Sequence, residues 1–176
     1  MIHIVIPGPP VAKARARISY RSSLGKYVGV TPAKTREAEG EVGWLAREAM
    51  QGSEPMTGAV CVEMAIYYPI PKSWPKKRQE DARSKRLRPT VRPDIDNIAK
   101  LFKDAVNGIL WKDDSQVVDL HVRKWYSDSP RTEVKVYSEE VEYARQKEIL
   151  KDIRAEMEDY MTAEEWYKES GKWNPS

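Results

Sequence analysis

The chain has 176 residues, one cysteine, two histidines and no apolar run near the ~18 residues of a membrane span. That sets aside a disulfide framework, a structural zinc site and an integral membrane protein. A 40% hydrophobic share against 32% charged residues supports one modest core, and the net charge of +3 hides strong segregation. Residues 1–36 carry seven basic groups and no acid, residues 71–92 carry nine against two acids, and residues 139–176 carry eleven acids against six bases. Two basic segments around a carboxylate-bearing centre are a footprint for a polyanion, most often nucleic acid. The start of the chain, Met1-Ile2-His3-Ile4-Val5-Ile6-Pro7, has neither a basic lead nor a long apolar stretch, so a cytoplasmic protein without a signal peptide is expected.

In chain order, residues 2–6 are β-branched and stop at Pro7-Gly8-Pro9-Pro10, which predicts a strand and a rigid turn. Lys26 to Val30 is a second strand. Thr31-Pro32 opens a helix, Thr as its cap and Pro at the first helical position, that runs to about Met50 and stops at Gly52. Ala59 to Tyr68 reads as a central strand ending at Pro69. Residues 69–93 hold five prolines and read as a long loop with a helical turn near 75–86. From Asp94 to Asn107 the helical period is clear: Ile95, Ile98, Phe102, Ala105, Val106 and Ile109 share one side, and Asp96, Lys100, Lys103 and Asn107 the other. Val117–Tyr126 and Thr132–Tyr137 read as a strand pair joined by Ser127-Asp128-Ser129-Pro130. Glu139 to about Met161 is a charged helix with a loose apolar period through Ile149, Ile153 and Met157. The order β-β-α-β-loop-α-β-β-α implies an α+β domain, a small mixed sheet packed with helices, over residues 1–138. Residues 139–176 are an acidic helical extension.

Two segments can carry chemistry. In Arg92-Pro93-Asp94-Ile95-Asp96-Asn97-Ile98-Ala99-Lys100 two carboxylates stand where a loop enters a helix. A helix cap explains Asp94, but not Asp96 or Lys100, one turn apart on the polar face; an i,i+4 pair is otherwise surface decoration. In Trp111-Lys112-Asp113-Asp114-Ser115-Gln116-Val117-Val118-Asp119 two acids precede a strand, which ordinary turn chemistry also explains. The short return from the helix is expected to bring Asp113 or Asp114 near the Asp94/Asp96 end. Carboxylates gathered there would need a divalent cation, and hard oxygen ligands select Mg²⁺ or Mn²⁺. His3, His121 and Cys61 read as structural, as do Trp111 and Trp125.

Taken together, Asp94-x-Asp96-Asn97-x-x-Lys100, Asp104-Ala105-Val106-Asn107-Gly108-Ile109 and Asp113-Asp114-Ser115-Gln116-Val117-Val118 resemble the RusA family of Holliday junction resolvases, endodeoxyribonucleases of phage and prophage origin. The resemblance is strongest over 91–126 and looser over 1–70. It implies a homodimeric, Mg²⁺-dependent enzyme, with Mn²⁺ as a substitute, that cuts four-way DNA junctions by paired symmetric incisions in recombination and repair, inside a bacterial or phage-infected cell. It implies no small-molecule cofactor and no membrane partner. By position Asp94, Asp96 and Asp114 match the family's essential carboxylates, Lys100 its catalytic lysine, and Asp113 the adjacent acid. Arg15, Arg17, Lys76, Lys77, Arg78, Lys85, Arg86 and Arg88 would then contact backbone phosphates, with Trp74 a wedge at the junction centre. The basic stretch 71–92 and the tail after 138 exceed the compact family pattern. Rival readings are a Mg²⁺ nuclease for flaps or other branched DNA, and a non-catalytic DNA-binding module.

Overall fold

The computed structural model describes residues 1–169; the side chains of Arg17, Arg21, Leu24, Glu142, Arg154 and all residues from 157 on lie outside that description. The chain divides into two compact units, residues 1–138 and 139–176.

In the first unit, β1 (Ile2–Pro7), β4 (Val60–Pro69), β5 (Val117–Ser127) and β6 (Arg131–Ser138) form one sheet in the order β1-β6-β4-β5. A two-stranded ribbon, β2 (Arg17–Arg21) and β3 (Lys26–Val30), stands apart from it. The sequence reading anticipated β3 but missed β2, whose Arg-Ile-Ser-Tyr-Arg alternation is short and whose apolar residues Ile18 and Tyr20 are exposed. Three helices complete the unit: α1 (Ala33–Met50), α2 (Lys76–Arg83) and α3 (Ile95–Val106).

β4 is central because its core-facing residues Val60, Val62, Met64, Ile66 and Tyr68 are all buried and its backbone needs partners on both edges. It pairs in parallel with β5 and antiparallel with β6. This corrects the expected β5–β6 strand pair: those strands flank β4 and do not touch as a ladder. Their short connection crosses the end of β4, where Pro69 offers no donor, and Arg83 grips Asp128 through two bonds of 2.7 and 3.0 Å.

α1 and α3 cover one sheet face. The α3 residues Ile98, Leu101, Phe102 and Val106 are buried, as the period predicts, whereas Ile95 on the same side is 37% exposed at the open first turn. The two helices approach closely at Gly43, where an added Cβ would lie 3.2 Å from the Ala105 carbonyl. Thr31 is not the cap of α1. The cap position is Pro32, without a side-chain bond, and the Pro32 carbonyl accepts from Thr35 and Arg36. Thr35 turns inward instead, buried, and its hydroxyl accepts from the Ala14 amide, tying the proline-rich loop down. The predicted helical turn in 75–86 is α2, anchored by fully buried Ala82.

The second unit begins directly after β6 as α4 (Glu139–Glu169), longer than the expected end near Met161. Val141, Tyr143, Ile149, Leu150 and Ile153 on it are exposed. Met157, part of the expected apolar period, has its side chain outside the described residues.

Candidate active site

α3 starts at an acid that does not cap it. Asp94 occupies the cap position with extended backbone (φ −73°, ψ 147°), and its carbonyl accepts from Ile98, yet its side chain makes no capping bond. Its carboxylate is therefore exposed and available, at the helix end where the backbone dipole favours negative charge. Asp96, in the first turn, is exposed as well, its closest hydrogen bond a 3.4 Å contact from the Asn97 amide. Lys100 follows one turn later on the same solvent face. Its nearest acid is Asp104, 3.9 Å away.

The segment before α3 is fixed from below. The Pro93 carbonyl accepts from the Tyr68 hydroxyl (2.8 Å) and from Lys124 Nζ (3.0 Å), and Lys124 also donates to the Val91 carbonyl (2.8 Å). The Lys124 ammonium lies 4.7 Å from the Tyr68 ring centre. Burial, with the charge of Asp94 adding to it, pushes the Tyr68 hydroxyl up to about 12. Burial also lowers Lys124, and Asp94 opposes that. Sequence reasoning missed both residues. Each is an unremarkable member of its strand, and only tertiary pairing of β4 with β5 reveals that they clamp one carbonyl.

The second acidic segment does not join the first. Asp113 is consumed as a cap: its carboxylate accepts from the Ser115 amide and hydroxyl, which hold it below the usual carboxylate range, while Gln116 Oε1 accepts from the Asp113 amide. Asp114 meets Lys103 at 3.7 Å, and its Oδ1 is buried without a hydrogen-bond partner among the described residues. Asp96 and Lys103 are seven residues apart, roughly 10 Å along the helix axis. Among the described residues no group of three His, Cys, Asp or Glu side chains gathers to hold a metal. The expected convergence of Asp113 or Asp114 on the Asp94/Asp96 end is thus corrected for a single chain. The physical reason is direction: β5 leaves the Asp114 turn beside the end of α3 and reaches Pro93 only at Lys124. Asp94 and Asp96 supply hard oxygen donors suited to hydrated Mg²⁺, which commonly takes only one or two carboxylates; Asp114 stands elsewhere.

The basic residues fall into two groups. Arg15, Lys76 and Lys77 are exposed, with no hydrogen-bond or ion-pair partner among the described residues. Arg86 pairs with Asp81 (2.9 Å), Arg78 lies over Trp74 (4.2 Å), and Lys85 and Arg88 lie over Trp125 (5.2 and 3.7 Å). Arg88 Nε also donates to the Lys124 carbonyl at 2.7 Å. The side chain of Arg17 lies outside the described residues. Trp74 is half-buried and packed edge-on against Tyr126 (5.1 Å), so a wedge role would require it to leave that seat. Trp111 is fully buried as expected, but Trp125 is half-buried beneath two cations on the sheet face opposite α1 and α3. Lys13, counted within the first basic segment, is neutralised by Glu39 and by Asp104 (2.8 Å). Burial lowers it, but these bonds outweigh that and leave it raised.

Two exposed carboxylates and a lysine thus share the outer face of one helix, beside cation-rich segments. The chain belongs to the RusA endodeoxyribonuclease family: residues 7–137 match the family described as Endodeoxyribonuclease RusA. It is also 42% identical over 137 residues to the "Uncharacterized protein YqaN" of Bacillus subtilis (strain 168), covering 77% of this chain and 94% of that relative. The family match stops one residue before the end of β6.

Proposed function

We propose that this endodeoxyribonuclease is Mg²⁺-dependent and resolves four-way DNA junctions, as a homodimer, by paired symmetric cuts. The observation that carries it is the outer face of α3, where the Asp94 carboxylate is spared from capping and Asp96 and Lys100 stand one turn apart. Asp94 and Asp96 would hold the Mg²⁺ ion through hard oxygens. When bound, that ion supplies a more acidic water and charge neutralisation at the phosphate. Lys100 meets a non-bridging phosphate oxygen, where an ammonium favours the charge that accumulates as the diester is attacked. Tyr68 and Lys124 hold the Pro93 carbonyl and so fix where Asp94 enters the helix. Arg15, Lys76 and Lys77, without an acid partner among the described residues, take backbone phosphates and set register without reading bases.

Within one chain Asp114 meets Lys103, and in the proposed dimer it is the second copy's Asp114 that would complete the carboxylate set. A two-fold dimer also suits a junction of near two-fold symmetry and two related cuts. The deciding experiment incubates a mobile four-way junction, a flap and a linear duplex with the enzyme in Mg²⁺ or EDTA, alongside Asp96→Asn. The expected result is symmetric nicking of the junction alone, lost in EDTA and in Asp96→Asn while junction binding persists. Equal cutting of flap or duplex would remove junction specificity, and cutting in EDTA would remove the metal.

A further inference from the structure

The four-stranded sheet ends on one side at β5, and no strand among the described residues pairs with the outer edge of that strand. It is bounded at both ends. Near its start the ladder with β4 is irregular, Val60 facing Val117 and Cys61 facing Asp119, so Val118 is an extra residue. Near its end Arg88 Nε fills the Lys124 carbonyl. That contact also shows which backbone groups point outward. Strand residues alternate, so Leu120 and Val122 present their N–H and C=O to the free edge as Lys124 does. The open stretch is Asp119-Leu120-His121-Val122-Arg123, centred on His121.

We infer that this edge pairs with the same edge of a second copy, antiparallel about a two-fold axis at His121. The inference deepens the homodimer proposed above by naming its surface. In that register Leu120 faces the partner's Val122, the two outward-pointing residues exchanging backbone bonds. Asp119 faces the partner's Arg123 at the positions where cross-strand side chains approach most closely. The pairing is self-complementary in both shape and charge. Leu120, 41% exposed in the single chain, gains an apolar neighbour. Arg123, exposed and without a partner among the described residues, gains a carboxylate. Asp119, which meets His121 at 3.3 Å, gains a guanidinium.

Other registers fail on visible grounds. A slip by one residue sets outward-pointing residues against inward-pointing ones. Centring on Leu120 sets Val122 against the irregular Val118, and centring on Val122 sets Leu120 against the occupied Lys124 carbonyl. The opposite sheet edge, β1, offers no acid–base pair anywhere along Ile2–Pro7. Antiparallel pairing also sends the partner's Asp114 turn towards this chain's Lys124 and Pro93, the end where Asp94 lies.

The test is a complementary charge swap read by sedimentation velocity on the full-length protein, with no DNA and no cleavage assay. Asp119→Arg alone, and Arg123→Asp alone, should each weaken dimerisation roughly tenfold or more, because like charges then face each other twice. An equimolar mixture of the two variants should recover dimers, since every facing pair is again opposite in sign. Recovery also shows that neither variant is misfolded. If each variant alone dimerises like wild type, or the mixture stays monomeric, the edge is not the interface and the dimer must use another surface. If wild type itself is monomeric at all concentrations, the homodimer falls and the edge pairing with it.

Discussion

Replacing Tyr68 by Phe removes one hydroxyl from beneath the active-site helix, and the consequence can be worked from the structure. Tyr68 is only 4% exposed, and its hydroxyl donates to the Pro93 carbonyl at 2.8 Å. Loss of that bond at neutral pH should cost about 1 kcal/mol and no more, because Lys124 at 3.0 Å continues to satisfy the same acceptor. The larger signature comes with alkali. The Tyr68 hydroxyl is raised from 10.0 to about 12 in the folded protein. Below pH 10 both folded and unfolded states hold the proton, and the stabilisation is fully present. Between about 10 and 12 the unfolded chain releases the proton while the fold retains it, so stability falls as pH rises through that window. A shift of this size corresponds to about 2.7 kcal/mol in full, of which wild type loses about 2 kcal/mol by pH 11.5 and Tyr68→Phe none. The lysines that titrate nearby are common to both proteins and largely cancel in the difference. Urea unfolding of both at pH 7, 9, 10, 11 and 11.5, followed by far-ultraviolet circular dichroism, measures it. Wild type should lead by about 1 kcal/mol at pH 7 and trail by pH 11.5. Parallel stability curves across that range would show that Tyr68 titrates as a solvated phenol and does not clamp Pro93.

Three further outcomes follow from the same geometry. Asp96→Asn should unfold at a temperature equal to or above wild type without metal, since it removes one of two neighbouring carboxylates; a drop of several degrees by calorimetry would make Asp96 a structural residue. Lys76→Ala with Lys77→Ala should weaken junction binding and flatten the slope of log affinity against log salt by roughly two, read by fluorescence anisotropy, and an unchanged slope would take α2 out of the DNA path. At the α1–α3 crossing Gly43→Ala should be close to neutral, because better helix propensity offsets a Cβ only 3.2 Å from the Ala105 carbonyl, whereas Gly43→Val should cost about 2 kcal/mol in urea unfolding.

What the sequence showed of the fold depended on how local each cause was. The α3 stripe of Ile98, Phe102 and Val106 is written in one segment and survives folding unchanged. The apolar run of β4 likewise announced a central strand. Pairing is not local. β5 and β6 are separated by three residues and look like a hairpin, but β4 needs two hydrogen-bonding neighbours and takes the place between them. Thr31 looked like a cap because Thr before Pro is a good local signal. What overrode it was Thr35, four residues on, which holds the loop at Ala14 by a tertiary contact.

The candidate site shows the same division more sharply. Asp94, Asp96 and Lys100 were legible because a helix fixes their spacing, so residues of one segment must share one face. Asp114 was legible as an acid in a motif but not as a position, since its place depends on which way β5 departs, and that direction sets it beside Lys103. The basic segments were legible as charge but not as free charge: Lys13, Arg86 and Arg88 are spent on Glu39, Asp81 and the Lys124 carbonyl, whereas Arg15, Lys76 and Lys77 have no partner among the described residues. Asp119 and Arg123 were passed over because within one chain they flank His121 and, among the described residues, do not meet each other. Their meaning lies in symmetry, in which a strand edge is read against its own reverse. A sequence read in one direction shows an acid and a base four residues apart; the same edge paired with its copy shows two salt bridges. The carboxylates on α3 and the charges along β5 thus pose one structural question from two sides, since an enzyme that makes two related cuts must fix the distance between its two α3 helices. The backbone ladder of a strand edge fixes such a distance more rigidly than side-chain contacts between helices would.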